Sequence, residues 1–226
     1  MLGLPRPIAI GVSLAAVALA TASGCEAPAP EPEPAPKPTA ASLLSAGPHD
    51  QAVVQIRGMG AIRFDLLREL APKTVDNFVR LAEAGFYDGT AFHRVVPGFM
   101  IQGGDPNSKG PDPRRNGEGG PGYEIGDEFS QLPHARGIVS MANKGSANSA
   151  GSQFFIVHQD QPSLDGKYTA FGRITQGIEM VDAITQLNID IYGRYGPTNR
   201  PYPEQAVIES IEIEAAGGDG VEVVGR

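Results

Sequence analysis

From residue 50 to about residue 215 the chain is cut by glycine into short β-rich runs, and only two stretches carry a helical period. The runs AVVQIR (52–57) and AIRFDL (61–66) flank Gly58-Met59-Gly60, a hairpin signal. Further short pieces follow: AFHRVV, FMIQGG, GIVSMA, SQFFIV and TAFGRI, and lastly AVIESIEI at 206–213. That last run carries apolar residues in both alternating sets, so it is expected to be covered on both faces over part of its length. After Pro72, Val75, Phe78, Val79 and Ala82 fall at i, i+3, i+4 and i+7, and Gly85 reads as the stop. The second period runs from Ile178 to Leu187, with Ile178, Val181 and Ile184 on one side. Many short strands with only two helices predict a mainly β domain built as an antiparallel barrel, not a βαβ fold.

The segment before residue 50 does not belong to that domain. Arg6 is the only charge ahead of an apolar run from Ile8 to Ala22, short for a membrane span but right for a signal-peptide core. The run ends in Ala22-Ser23-Gly24-Cys25, which resembles a bacterial lipobox, although Ala22 stands where Leu is commoner. Cys25 is the only cysteine in the chain, which excludes an internal disulfide framework and an all-cysteine zinc site. The alternative is ordinary signal-peptide cleavage nearby. From Pro28 to Pro38 proline occupies every second position. Such a stretch buries no core; it reads as an extended spacer rising about 3.1 Å per residue, or as a tether with no length requirement. The Gly-rich end, 217–226, reads as a flexible tail.

Most motifs of chemistry are missing. The net charge of −8 argues against a nucleic-acid binder. Residues 117–122 match G-x-G-x-x-G by letters, but they contain Pro121 and open no helix, so dinucleotide binding is rejected. Ser149 in SANSAG is no nucleophile elbow. His49, His93, His134 and His158 lack the spacing of metal ligands. His158, following a strand, is expected at the surface rather than as a base. Asp65, Asp105 and Asp165 stand isolated. What remains is apolar and non-ionising polar residues around Arg94. If Arg94 lies in a strand, alternation puts Phe92 and Val96 on its face and His93 and Val95 on the other.

The signatures FHRVVPGFMIQGGDP, GIVSMAN, NSAGSQFFIV, LDGKYTAFGRI and VIESIEI, in that order, resemble the cyclophilin family of peptidyl-prolyl cis-trans isomerases of bacterial type over about residues 50–214. The resemblance implies a closed eight-stranded antiparallel barrel capped by two α-helices. It implies Arg94 as the catalytic arginine and Phe99, Met100, Phe155 and Leu164 as the proline pocket. Gln102 matches the glutamine that hydrogen-bonds the peptide, and Ala142 and Asn143 match the backbone-binding segment. Tyr168 falls where animal members often carry His. Ser163 falls where many carry Trp, a residue absent from this chain, so inhibitor binding is expected to differ. The loops 106–122 and 188–205 look long for the family.

The residue types suit this chemistry on their own account. Prolyl isomerisation breaks no covalent bond; it must overcome amide resonance, a barrier of roughly 18–20 kcal/mol. A catalyst needs a dry slot for the ring and a donor that favours the twisted amide, whose nitrogen becomes an acceptor. A guanidinium is a permanent cation with a rigid fork of donors, better suited than lysine. No acid, base, metal or cofactor is required. The expected organisation is a signal peptide (1–24), lipidated Cys25 with a Pro-rich linker (25–49), a cyclophilin-like isomerase domain (50–215) and a flexible tail (216–226). The expected partners are proline-containing polypeptides and, through the lipid, a membrane; no nucleic acid is expected, and the protein should be a monomer. It would be an exported, membrane-anchored lipoprotein facing the periplasm or cell exterior, aiding the folding of exported proteins. The alternative on the same fold is a non-catalytic module that binds proline peptides as a chaperone.

Overall fold

The computed structural model describes residues 50–110, 112–190, 200–201 and 206–215. The expected signal peptide, lipidated cysteine, linker and tail, and most of the loop 188–205, lie outside these residues.

Strands β1 (Gln51–Ile56) and β2 (Gly60–Leu66) form the expected hairpin, turning through Gly58 at φ +70°. Helix α1 (Pro72–Glu83) begins on Pro72, which has no N–H to leave unsatisfied. Ala71 supplies no side-chain cap. Instead the Glu128 carboxylate, from a distant loop, accepts the N–H groups of Lys73 (3.1 Å) and Thr74 (2.8 Å). A negative charge there also suits the helix dipole. The helix ends in a Schellman motif: Gly85 at φ +65° donates to Ala82 O, and Phe86 N–H to Leu81 O.

The remaining strands are β3 (Arg94–Val96), β4 (Met100–Gly103), β5 (Ile138–Met141), β6 (Phe154–Val157), β7 (Ala170–Gln176), β8 (Ile189–Asp190), β9 (Arg200–Pro201) and β10 (Ile208–Glu214). Helix α2 (Ile178–Thr185) buries Val181 and Ile184, as its period predicts. Eight strands form one antiparallel sheet in the order β10-β1-β2-β7-β5-β6-β4-β3; β8 and β9 pair separately. The closed barrel expected from the resemblance is corrected to an open, curled half-barrel. Among the described residues no ladder joins the end strands β10 and β3. Their neighbourhood is tacked together by an Ala91–Val207 bridge and by hydrogen bonds such as Ile208 N–H to Thr90 O (2.7 Å). These contacts lie ahead of β3, which begins at Arg94, past the bridged residue Ala91.

The inner face of the sheet packs around Phe78 of α1, whose ring contacts Phe64, Tyr87, Phe154 and Phe171 at centroid distances of 5.2–5.7 Å. Val207, just ahead of β10, and Ile208, its first residue, are both buried, so both faces are covered where the strand begins. A bulge where the β1 register passes over Glu209 then brings Ile211 inward. A second, smaller apolar cluster lies outside this core: Met100, Ile138, Phe155, Val157 and Leu164 with Leu67, Leu132 and Ala170. It underlies the site.

Candidate functional site

Register alone assembles the centre of the site. Arg94 pairs with Gln102 across β3 and β4, Gln102 with Phe155 across β4 and β6, and Phe155 with Ser140 across β6 and β5. Residues directly opposite in adjacent strands project from the same face, so these four form one row on the outer face. The alternate residues Val95, Ile101, Ile156 and Val139 point into the core and are fully buried. Phe92 departs from the alternation. It is fully buried with Val95 rather than sharing the Arg94 face, because it precedes β3 and lies outside regular strand geometry.

The second wall comes from the turn Pro97-Gly98-Phe99, which joins β3 to β4 and carries Phe99. The third comes from the 3-10 turn Pro162–Leu164, which delivers Leu164, and from Tyr168 after it. A cleft of about 100 Å³ results, lined by Arg94, Phe99, Met100, Gln102, Ala142, Asn143, Phe155, Leu164 and Tyr168. That is the volume of about three waters at liquid density, the scale of one small side chain. All nine residues carried over from the resemblance therefore meet at one cleft. Met100 and Phe155 are nearly buried and form its floor, while Tyr168 stands edge-on to Phe155 at 5.3 Å. Ser163 is exposed on the turn beside Leu164.

Arg94 is exposed, and its Nη1 lies 3.5 Å from Gln102 Oε1, the outer limit of a hydrogen bond. Among the described residues no carboxylate pairs with it. Its donors are thus available to a ligand. Gln102 is oriented from behind: its Nε2 donates to Gln153 Oε1 at 2.8 Å. Gln153 in turn donates to the carbonyls of Gly117 (3.0 Å) and Gly119 (2.8 Å). Asn143 donates to Lys167 O and accepts from Gly145 N–H.

Several of these supports are invisible to a reading along the chain. Asp105, expected to stand isolated, is fully buried and accepts from the backbone N–H groups of Asn107, Gly117 and Gly119. It thereby ties the long loop 106–122 to the site. The signal that could have found it is Asp followed by Pro, an N-cap pattern, and Asp105 does cap the 3-10 turn Pro106–Lys109. Asp65 pairs with Arg173 at 3.0 Å, and Asp165 accepts from His134 Nδ1 at 3.0 Å. The His134 ring stacks on Phe155, and burial holds its pKa below the ordinary imidazole value, partly offset by Asp165. His158, expected at the surface, has a side chain only 13% exposed and bonds the β3–β4 turn. Beside the cleft lies a polar trough of about 700 Å³ that shares Gln102, Ala142 and Asn143. Its remaining walls are the Gly-rich segment 117–122 and Tyr123, Glu124, Lys144 and Gln153 among others.

Comparison with known proteins bears on this arrangement directly. The family model described as cyclophilin type peptidyl-prolyl cis-trans isomerase/CLD matches residues 52–213. The chain is 47% identical over 137 residues to a peptidyl-prolyl cis-trans isomerase of Synechococcus elongatus, covering 61% of this chain and 88% of the relative. It is 51% identical over 120 residues to peptidyl-prolyl cis-trans isomerase B of Bacillus subtilis, covering 52% and 78%. The crystal structure of a cyclophilin type isomerase of Cryptosporidium parvum superposes with a TM-score of 0.64 at 32% identity, covering 74% of this chain and 98% of that one. The protein belongs to the cyclophilin family and is, as a member, a peptidyl-prolyl cis-trans isomerase.

Proposed function

We propose that Arg94 is the catalytic residue and that the cleft it shares with Phe155 holds the substrate proline. The observation that carries this reading is a guanidinium with no carboxylate partner among the described residues, set in one cross-strand row with the glutamine and phenylalanine that flank the slot. Phe99, Met100, Phe155 and Leu164 take the ring, with Tyr168 closing the edge. Gln102, Ala142 and Asn143 hold the peptide on either side. As the X-Pro bond twists, its nitrogen loses conjugation and accepts a hydrogen bond from Arg94. Uncatalysed exchange takes roughly 10–100 s, so even a few kcal/mol of selective stabilisation changes it by orders of magnitude. The substrates are proline-containing polypeptides; a Cryptosporidium parvum relative was solved in the presence of the dipeptide Ala-Pro.

The sequence supports a wider setting. We infer that residues 1–24 are a signal peptide, that Cys25 carries lipid, that 25–49 is a spacer, that the isomerase domain spans 50–215 and that 216–226 is a tail. The isomerase then works as a monomer on the extracytoplasmic side of a membrane, upon exported chains. Exchange of a proline peptide by the purified protein tests the catalytic reading. Binding without accelerated exchange would instead favour the chaperone-like module.

A further inference from the structure

We infer that His158 is a positioning residue for the Phe99 wall of the cleft, acting through an unprotonated Nδ1 on the β3–β4 turn. The inference rests on the isomerase reading above. The turn is pinned at three points. Gly98 N–H donates to His158 Nδ1 at 2.9 Å, Gln161 Nε2 donates to Gly98 O at 3.0 Å, and His158 N–H donates to Phe99 O at 3.0 Å. Gly98 sits at φ +78°, a conformation that suits glycine. The geometry of Phe99 and of the entry to Met100 therefore depends on these bonds.

The chemistry of the contact fixes the protonation state. A backbone N–H can only donate, so Nδ1 must offer its lone pair and the ring proton must reside on Nε2. Nε2 lies 3.1 Å from Asp182 Oδ1 on α2, an acceptor for that proton. Asp182 is itself held by Arg136, whose Nη2 reaches both carboxylate oxygens at 2.8 Å while Nη1 donates to His158 O at 2.7 Å. Arg136 first and His158 second hold the Asp182 carboxyl below its ordinary pKa, so it is an anion at neutral pH. The charged groups around the ring are thus Asp182 from α2, Arg136 from the segment leading into β5, and Asp160 on its own segment, which accepts Arg136 N–H at 2.8 Å. The turn at residues 96–99 contributes no charge.

A second proton on the ring must go to Nδ1, and it turns the acceptor into a donor facing another donor. The Gly98 bond is then lost, and the turn or the ring must move. Acid should therefore loosen the Phe99 wall while leaving the Arg94 row intact.

The test measures exchange of an Ala-Pro peptide by NMR, which needs no coupling protease, between pH 5 and 8. It compares the wild-type chain, His158→Asn and His158→Leu. The Gly98 amide and the His158 ring are followed in the same samples. Asn places an acceptor oxygen on Cγ where His has Nδ1, and it takes up no proton. The wild type should lose kcat/KM on acidification, and the Gly98 amide shift should move together with that loss. His158→Asn should be flat over that range and close to wild type at pH 8. His158→Leu should be lowered about three- to tenfold at every pH, the worth of one neutral hydrogen bond. A Gly98 amide that stays put while activity falls, or an acid limb unchanged in His158→Asn, overturns the inference. A wild type inactive at every pH refutes the isomerase reading instead, and the Gly98 shift still decides the positioning role.

Discussion

The imidazole of His134 lies stacked on the ring of Phe155, with 6.1 Å between centroids and 20° between planes. Its Nδ1 faces Asp165 Oδ1 at 3.0 Å and its Nε2 faces Ser140 Oγ at 3.1 Å. Ser140 and Phe155 are register partners on β5 and β6. The floor of the cleft is thus backed by a buried histidine whose side chain is 1% exposed.

That histidine predicts how stability varies with pH. Burial lowers the folded-state pKa of His134 below that of an ordinary imidazole, with Asp165 opposing the shift. The unfolded chain then takes up the proton at a higher pH than the folded one, so stability rises with pH across the window between the two values. On acidification the loss begins near the ordinary imidazole value and continues down to the lower folded one. Thermal melts from pH 8 to pH 5 should show Tm falling more steeply for the wild type than for His134→Gln. Equal slopes would mean that His134 is not held neutral by its surroundings.

Gly104 follows β4 at φ +81°, and a Cβ there would stand 2.5 Å from Ser152 O. Gly104→Ala should cost about 1–2 kcal/mol for the left-handed backbone alone, with a further cost from displacing Ser152. Each kcal/mol lowers Tm by roughly 2–4 °C in a domain of this size, so a drop of several degrees is expected. Gly120 has no atom within 4 Å of its added Cβ and no positive φ, so Gly120→Ala should change stability by less than about 0.5 kcal/mol. Comparable melts for the two variants would contradict the packing described at Gly104.

Ser163 sits exposed on the turn that delivers Leu164, and its carbonyl accepts Lys167 Nζ at 2.9 Å. The resemblance implies an indole at this place in cyclosporin-sensitive members, giving apolar area and one N–H donor. Cyclosporin should inhibit this protein weakly, and Ser163→Trp should tighten inhibition with little change in turnover. Titration of both proteins with the macrocycle decides it, and tight inhibition of the wild type would show the indole to be dispensable.

Cys25, the only cysteine, stands three residues beyond the apolar run that ends at Ala22, and on the reading proposed above it carries lipid. One acyl chain anchors a protein marginally, whereas two give stable attachment. Mass spectrometry of the native protein should find a lipid-modified Cys25 as the first residue, and Cys25→Ser should release the protein or leave its precursor uncut. An unmodified N-terminus near residue 25 in the soluble fraction would reduce the site to ordinary signal cleavage.

Local signals were legible where the physics is local. The Gly58 turn, Pro72 at the start of α1 and Gly85 at its end each act within a few residues. The nine cleft residues were legible through their long motifs, and the pairing of Arg94, Gln102 and Phe155 shows why those motifs keep their spacing. Strand alternation by itself does not decide which of the adjacent Phe154 and Phe155 faces the main core; in the structure Phe154 does. What escaped were the supports whose partners lie far along the chain: Glu128 on the start of α1, Asp105 on Gly117 and Gly119, His134 with Asp165, and His158 on Gly98. Alternation also failed at Phe92, because the strand it was assigned to begins two residues later. Sheet closure depends on a ladder between the first and last thirds of the domain, which no short window of sequence reports.

Arg94 is the residue on which the proposed catalysis turns. It is exposed and has no carboxylate partner among the described residues, so its removal should leave the fold intact. A hydrogen bond from a charged donor is worth roughly 1.5–3 kcal/mol, and about 1.36 kcal/mol corresponds to tenfold in rate. Exchange of an Ala-Pro peptide by the wild-type protein and by Arg94→Ala, with melts of both, is the deciding measurement. The wild type should accelerate exchange, and Arg94→Ala should show a kcat/KM lower by about 10- to 100-fold or more with an unchanged Tm. Near-wild-type turnover in Arg94→Ala would contradict this and assign the polarising role to another group.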